Sequence, residues 1–232
     1  QMHLDESTDP ESKEKLKLFL NNWLNKYIKT ELSDLVNLSY SESSNSNTRA
    51  LCFQLFESNG VLKREIINKT ILKLSREERF KLRKIGVKIG RYHIFLPKML
   101  KPNAVLLRTM LWKNFYQKSK HAEIPRAGLN FLHNEKIKDK NFLLICGFEN
   151  FEDFFIRIDI LEKLFIKILD ASKDKKFQYN SDMINLIGCT KDNFFKILKL
   201  LNYYSVDKKE KNDFFVYRPK KIIKKNKKFI YK

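Results

Sequence analysis

Cysteine is scarce in this sequence, and Cys52, Cys146 and Cys189 stand far apart. Three such residues cannot form a disulfide framework or a four-ligand zinc site, so we expect small buried side chains in a reducing compartment. Long apolar runs are missing too, since no stretch approaches the roughly 20 apolar residues that span a bilayer. The acidic, polar start QMHLDESTDPESKEK is unlike a signal or transit peptide. These absences predict a cytoplasmic chain with no membrane partner and, because it opens on Gln1, one that is part of a longer protein.

Catalytic signatures are absent as well. The sequence has no GxxxxGK[ST] loop to hold phosphates and no Asp-Glu pair after an apolar strand to hold Mg²⁺. No Ser, Cys or Asp stands in a recognisable nucleophile context, and the histidines lack metal-ligand spacing. We therefore expect no catalytic residue, metal or cofactor in this chain. Whether the whole protein is an enzyme stays open.

Positive charge is abundant and unevenly distributed. The net charge is +20, and it divides into −3 for residues 1–60, +14 for 61–120, zero for 121–180 and +9 for 181–232. An AT-rich genome would enrich lysine along the whole chain, and it does not explain basic quarters beside neutral or acidic ones. A polyanion-binding surface built from two separate segments explains the pattern better.

Helical periodicity and capping signals predict a mainly α fold with a few short β-strands. Asp9-Pro10-Glu11 opens a core-facing helix over 10–29, Thr48 caps a second, and Ser75-Arg-Glu-Glu78 is a capping box for a third. Residues 86–102 are expected to be irregular, with extended pieces. These elements form a helical lobe over 1–116, and a linker follows over 117–142.

The second lobe is predicted over 143–217. Its order is a helix over about 158–171, an extended piece, two helices capped by Ser181 and Thr190, and two strands around a lysine-rich turn. This is the order of a winged helix, although a plain helical module fits equally well. Residues 218–232 hold eight basic residues and no acid, which is typical of a disordered tail that binds polyanions or only solubilises the chain.

Four segments together resemble one family. They are RALCFQLFESNGVLKR (49–64), LSREERFKLRKIGVKIGRYHIFLPKMLKPNAVLLRTMLW (74–112), GFENFEDFFIRIDILEKL (147–164) and SDMINLIGCTKDNFFKILKLLNYY (181–204). They are similar to the C-terminal region of bacterial superfamily-two helicases related to the mitochondrial degradosome RNA helicase. LRKIGVKIGRYHIFLPKMLKP is the most specific piece, although Lys88 stands where the family pattern has Arg. The resemblance implies a parent protein that hydrolyses ATP with Mg²⁺ in motor domains that this chain lacks.

Basic residues interleaved with aromatic ones are typical of single-strand binding, because cations contact phosphates and rings stack on bases. Tyr92 and His93 are equally well explained as core residues. The second lobe adds lysines on a recognition helix and in the turn, and the tail adds two more. The candidate nucleic-acid-binding residues are Arg79, Arg83, Lys84, Lys88, Arg91, Tyr92, His93, Lys98, Lys101, Lys191, Lys196, Lys199, Lys208, Lys209, Lys220 and Lys221.

Three functions remain open on the sequence. The first is an accessory nucleic-acid-binding region of an ATP-dependent helicase, which contacts single-stranded RNA or DNA beside motor domains in cis. The second is a protein-interaction platform that docks a nuclease or a scaffold. The third is a free-standing winged-helix nucleic-acid-binding protein.

Overall fold

A computed structural model describes residues 9–39, 45–116, 122–133, 139–206 and 214–219 of the chain. Helices dominate these ranges, and the strands form three antiparallel sheets of three strands each. The predicted mainly α fold with a few short strands is therefore confirmed.

The chain begins with α1 (Pro10–Glu31) and α2 (Ser33–Ser39). The carboxylate of Asp9 accepts a hydrogen bond from the Ser12 amide at 2.6 Å, so the predicted cap is present. No residue of α1 is buried, and Phe19 and Trp23 are each more than half exposed. The prediction that this helix faces the core is therefore wrong for most of its length, and the helix packs against the core at the half-buried Tyr27 and Ile28 near its C-terminal end. Helical periodicity identifies an apolar face and does not say what covers it.

A winged helix follows over residues 46–95, which we call the first unit. Its elements are α3 (Ser46–Glu57), β1 (Val61–Lys63), α4 (Arg64–Lys73), α5 (Arg76–Lys84), β2 (Lys88–Ile89) and β3 (His93–Phe95). β3 pairs with both other strands, which gives the sheet order β1-β3-β2. α4 and α5 form the helix-turn-helix. Asn45, not Thr48, caps α3, because the helix starts earlier and Thr48 is buried, where it donates to Glu78 at 3.1 Å.

A middle layer connects the first unit to the rest of the chain. It comprises a 3-10 helix (Pro97–Leu100), α6 (Pro102–Phe115), β4 (Phe131–His133), α7 (Lys140–Ile145), β5 (Phe148–Phe151) and β6 (Phe154–Arg157). The strands form a sheet in the order β4-β6-β5. Phe142, Phe148 and Phe155 are buried between this sheet and the two helices. The segment predicted as a linker over 117–142 therefore contributes β4 and the start of α7 to a packed layer.

A second winged helix spans residues 158–217 and is called the second unit. Its elements are α8 (Ile158–Ala171), β7 (Lys176–Gln178), α9 (Ser181–Ile187), α10 (Lys191–Leu200), β8 (Tyr203–Ser205) and β9 (Phe214–Tyr217). The sheet order is β7-β9-β8, the same arrangement as in the first unit. Of the two topologies left open by the sequence, strand pairing therefore gives the winged helix. The predicted caps differ in one place, since Asn180 caps α9 and Thr190 caps α10.

The two units and the middle layer share a small apolar interface. Val61 of β1, Phe95 of β3 and Ile158 at the start of α8 are buried against one another. Beside them, Arg108 of α6 is 1% exposed, and it donates hydrogen bonds to the carbonyl oxygens of Asn59, Met99 and Ile145. One guanidinium thus connects the first unit, the 3-10 helix and α7.

Candidate nucleic-acid interface

α5 has a mostly exposed, positively charged surface because its sequence contains few apolar residues. The capping box is formed as predicted: Ser75 Oγ accepts from the Glu78 amide at 3.2 Å, and the Glu78 carboxylate accepts from the Ser75 amide at 2.7 Å. Leu82 is the one buried residue of this helix. The other positions include five basic residues, Arg76, Arg79, Lys81, Arg83 and Lys84. The second helix of the helix-turn-helix is thus a basic surface.

A cleft between α4, α5 and β2 collects four cations, and we call it the basic cleft. Its charged lining consists of Arg64, Arg79, Arg83 and Lys88, and no acidic residue of the described ranges lines it. The Arg79 guanidinium is fixed in place because it donates to the carbonyl oxygens of Ile71 at 2.7 Å and Leu74 at 3.3 Å. These carbonyls are the negative end of α4. Arg64 is fixed similarly, by donation to Gly90 O at 2.7 Å.

The charges of the basic cleft repel one another. Burial, together with the positive charges of Arg91 and Arg79, lowers the pKa of Arg64 from its ordinary value. An anion placed among these side chains would relieve that repulsion, because opposite charge favours the charged form of each cation. Phosphate oxygens also match the donor geometry of arginine. The basic cleft therefore has the chemistry of a phosphate-binding site.

The remaining predicted cations of the first half lie outside the basic cleft. Lys98 forms an ion pair with Asp34 at 2.7 Å, so its charge is already balanced. Lys84 lies 4.9 Å from the Phe80 ring centroid, and Lys101 is exposed just before α6. Arg91 is exposed at the β2–β3 turn. Of the nine residues predicted here, Arg79, Arg83 and Lys88 are brought together.

His93 is a core residue, which corrects the prediction that it contacts nucleic acid, and Tyr92 packs largely against the second unit. His93 is 1% exposed, and its Nε2 lies 2.6 Å from the Glu149 carboxylate. The Tyr92 ring packs edge-on against Phe165 of α8 at 5.9 Å. Burial raises the pKa of Tyr92 well above its ordinary value. The His93 ring is buried between β5 and α8 and is closed to a base, whereas Tyr92 is half-buried, with α8 against one side of its ring.

Glu162 of α8 holds the β2–β3 turn in place. This carboxylate is 3% exposed and accepts hydrogen bonds from three consecutive backbone amides, those of Arg91 (2.6 Å), Tyr92 (2.8 Å) and His93 (2.9 Å). A Cβ added at Gly90 would lie 2.4 Å from the carboxyl carbon of Glu162. The wing of the first unit is therefore fixed to the second unit, and glycine is needed at position 90 for this close approach.

The approach of Glu162 to Gly90 predicts a coupled pair of substitutions. Glu162→Ala leaves three amides without their acceptor, so we expect the free energy of unfolding to fall by about 2 kcal/mol. Gly90→Ala places a methyl group against the carboxylate and should also destabilise the protein. In the double variant the methyl group meets no carboxylate, so the combined cost should be smaller than the sum. Urea unfolding of all four proteins measures this, and additive costs would contradict the contact.

α10 is the corresponding helix of the second unit, and its three predicted lysines are exposed. Lys196 and Lys199 lie on the face opposite the buried Phe194, Ile197 and Leu198. Lys191 lies 5.1 Å from the Tyr179 ring centroid and 5.3 Å from that of Phe195. Burial and phosphate binding are thus compatible on this helix. Lys208, Lys209, Lys220 and Lys221, with the predicted tail beyond Pro219, lie outside the described residues.

Sequence reasoning missed Arg64, Glu149, Glu162 and Tyr217. Glu162 had a detectable signal, because it stands among the apolar residues of α8 that predict the core face, and a buried carboxylate needs donors. Glu149 had none. It is 6% exposed on β5 and bonds His93 and, at 2.6 Å, Lys63, a residue 86 positions away. Such contacts depend on the tertiary fold.

Within the ranges that the structure describes, no group of three or more His, Cys, Asp or Glu side chains could hold a metal ion. Over the same residues, no helix is both long and apolar enough to cross a membrane. The chain matches no protein-family model, and neither a curated protein nor a solved structure is significantly similar to it.

Proposed function

We propose that this chain is a nucleic-acid-binding accessory region of an ATP-dependent helicase whose motor domains lie outside it. The observation that carries the binding role is the basic cleft, in which Arg64, Arg79, Arg83 and Lys88 converge and which no acidic residue of the described ranges lines. Support for the helicase assignment comes from the resemblance of LRKIGVKIGRYHIFLPKMLKP and the three other segments. The two lines of support are independent, because the resemblance does not depend on side-chain geometry.

A single strand suits this surface better than a duplex. Winged helices that read duplex DNA place the second helix of the helix-turn-helix in the major groove and use the wing beside it. In the first unit the wing turn is bound by Glu162 of α8, so the second unit lies against one side of the wing. A surface that offers cations but no free wing is suited to contacting the backbone of a flexible strand of RNA or DNA.

The mechanism we propose is passive. The region closes one side of the strand channel and adds phosphate contacts, while motor domains in cis supply the directional movement. ATP and Mg²⁺ belong to those motor domains. Because the second unit fixes the wing of the first, both basic helices would move with the motor as one body. The proposed location is the cytoplasm.

Salt dependence tests the binding role. Fluorescence anisotropy with a labelled single strand should show affinity falling steeply between about 50 and 200 mM salt, because each phosphate contact releases a counterion. A duplex of the same length and sequence serves as the comparison, and we expect weaker binding to it. Absent or salt-insensitive binding would overturn the proposal. Tighter, sequence-dependent binding to the duplex would instead favour a free-standing winged-helix protein.

A protein-interaction platform is the second candidate, and the exposed apolar residues of α1 and α6 favour it. Phe19 and Trp23 on α1 are 65% and 54% exposed, and Met110 and Phe115 on α6 are 55% and 78% exposed. α1 and α6 pack against each other, and exposed apolar side chains on neighbouring helices often mark a protein contact. A nuclease or scaffold could dock there while the basic cleft stays open. The two functions would use different residues, so they are compatible.

A further inference from the structure

A second cleft lies where the first unit meets the second unit and β5, and we call it the inter-unit cleft. It is an open cleft with a volume of about 660 Å³, which is within the range of small-ligand sites. Its lining includes Lys63, Arg64, Asn68, Arg91, Phe151 and Tyr217. Cations, amides and aromatic rings therefore surround one space. These residues come from distant segments, and the sequence did not indicate that they lie together.

The positive charge of the inter-unit cleft is only partly offset. Glu149 and Glu65 also line it. Glu149 is bound by both Lys63 and His93 at 2.6 Å. Burial by itself would raise the pKa of Glu149, but hydrogen bonds from His93 and Lys63 outweigh it and lower that pKa. Arg64 and Arg91 remain, against the exposed Glu65, so the cleft can accept an anionic group.

Tyr217 supplies a ring that a base could stack on. It is the last residue of β9, and it is 41% exposed. The Tyr203 ring supports it at a centroid distance of 5.4 Å, and the Arg91 guanidinium carbon lies 5.9 Å from the ring centroid. Tyr217 is thus held in place while part of its surface stays open. A ring fixed in this way loses little conformational freedom when a base stacks on it.

Arg64 joins the two clefts, because it lines both. A strand whose phosphates occupy the basic cleft could continue past Arg64 and place a nucleotide in the inter-unit cleft. An acidic peptide could also satisfy the cations, but it would leave the exposed surface of Tyr217 unused. The combination of a cation row with an aromatic platform at its end favours a nucleotide.

We propose that the inter-unit cleft binds one nucleotide of a single strand, with its base stacked on Tyr217 and its phosphate at Arg64 and Arg91. This assignment rests on the proposed nucleic-acid-binding function, because it places one nucleotide of that same strand. It adds a specific base contact to a surface that otherwise contacts only phosphates. The contact is expected to tolerate any base, since every base has a face that can stack.

The test uses the full chain and a thymidine strand of about 12 nucleotides, within the site sizes of single-strand binders, that carries 5-iodouracil at one position. Ultraviolet light should cross-link Tyr217 to this strand, as located by mass spectrometry. Tyr217→Ala should lower affinity about 5- to 150-fold, whereas Tyr217→Phe, which keeps the ring, should bind almost normally. Tyr116→Ala, directly after α6, removes an exposed tyrosine that lines neither cleft, and it should leave affinity unchanged.

The outcomes separate this assignment from the proposed function. Salt-dependent strand binding that Tyr217→Ala leaves unchanged, with no cross-link at Tyr217, overturns the nucleotide site and leaves the binding role standing. If the intact protein binds no strand, the binding role and the nucleotide site fall together. If a glutamate peptide of equal charge displaces the strand in a way that depends on Tyr217, the cleft takes an acidic peptide instead.

Discussion

Replacing Arg83 and Lys88 together with glutamine should lower affinity for a single strand about 25-fold at roughly 0.1 M salt. Each phosphate contact on a single strand contributes about 0.7 to the steepness of log affinity against log salt. One contact therefore raises affinity about fivefold at roughly 0.1 M salt relative to about 1 M. Two contacts therefore give about 25-fold. Arg83 is exposed and Lys88 is half-buried, and glutamine keeps most of each apolar stem, so the fold should be retained.

The matched control removes the same charge elsewhere. Lys17 and Lys26 are exposed on α1 and line neither cleft. Lys17→Gln with Lys26→Gln should change affinity only slightly, through the net charge of the molecule. Fluorescence anisotropy of both double variants with several strand sequences gives the comparison. Equal losses in both would mean that total charge, and not the basic cleft, determines binding. A loss restricted to one sequence would favour base readout.

Arg108→Met should cause the largest loss of stability. The guanidinium is 1% exposed and donates to three backbone carbonyl oxygens from different parts of the chain. Methionine fills a similar volume but donates nothing, so three carbonyl acceptors, two of them in buried hydrogen bonds, lose their partner at about 1–3 kcal/mol each. We expect the free energy of unfolding to fall by on the order of 3 kcal/mol or more. Burial lowers the pKa of Arg108 to about 10, so the native side chain is still charged at neutral pH.

Urea unfolding measures this loss, with Arg126→Met as the control because Arg126 is exposed. The control should change stability by about 0.5 kcal/mol or less. A loss below about 1 kcal/mol for Arg108→Met would show that the three carbonyls find other donors. In that case the connection between the first unit, the 3-10 helix and α7 would depend on apolar packing alone.

Signals confined to one turn of helix were predictable from the sequence. The Asp9 cap, the Ser75–Glu78 capping box and the Thr190 cap are all formed, because each depends on residues three or four positions apart. The second winged helix was predictable for a similar reason, since the sequences of its last two strands flank a lysine-rich segment whose composition is typical of a turn. The first was not, because β2 has only two residues and short strands give no alternation.

Burial and the arrangement of the candidate site were less predictable. The apolar face of α1 was identified, but its exposure depends on packing partners that periodicity does not reveal. Tyr92 and His93 stand in a basic, aromatic segment that is typical of strand binding. Their actual role depends on Glu162, which is about 70 residues further along the chain. The excess of positive charge over residues 61–120 did indicate where cations accumulate. The fold places Arg79, Arg83 and Lys88 of this segment in one cleft, together with Arg64, which was not predicted.

The salt slope of binding tests the role of the basic cleft most directly. Affinity for the single strand would be measured across a salt series for the intact protein, the Arg83→Gln/Lys88→Gln variant and the Lys17→Gln/Lys26→Gln variant. If Arg83 and Lys88 each contact a phosphate, the slope of the cleft variant should be smaller by about 1.4, while the α1 variant keeps the slope of the intact protein. A slope that is the same in all three proteins would contradict phosphate binding in the basic cleft.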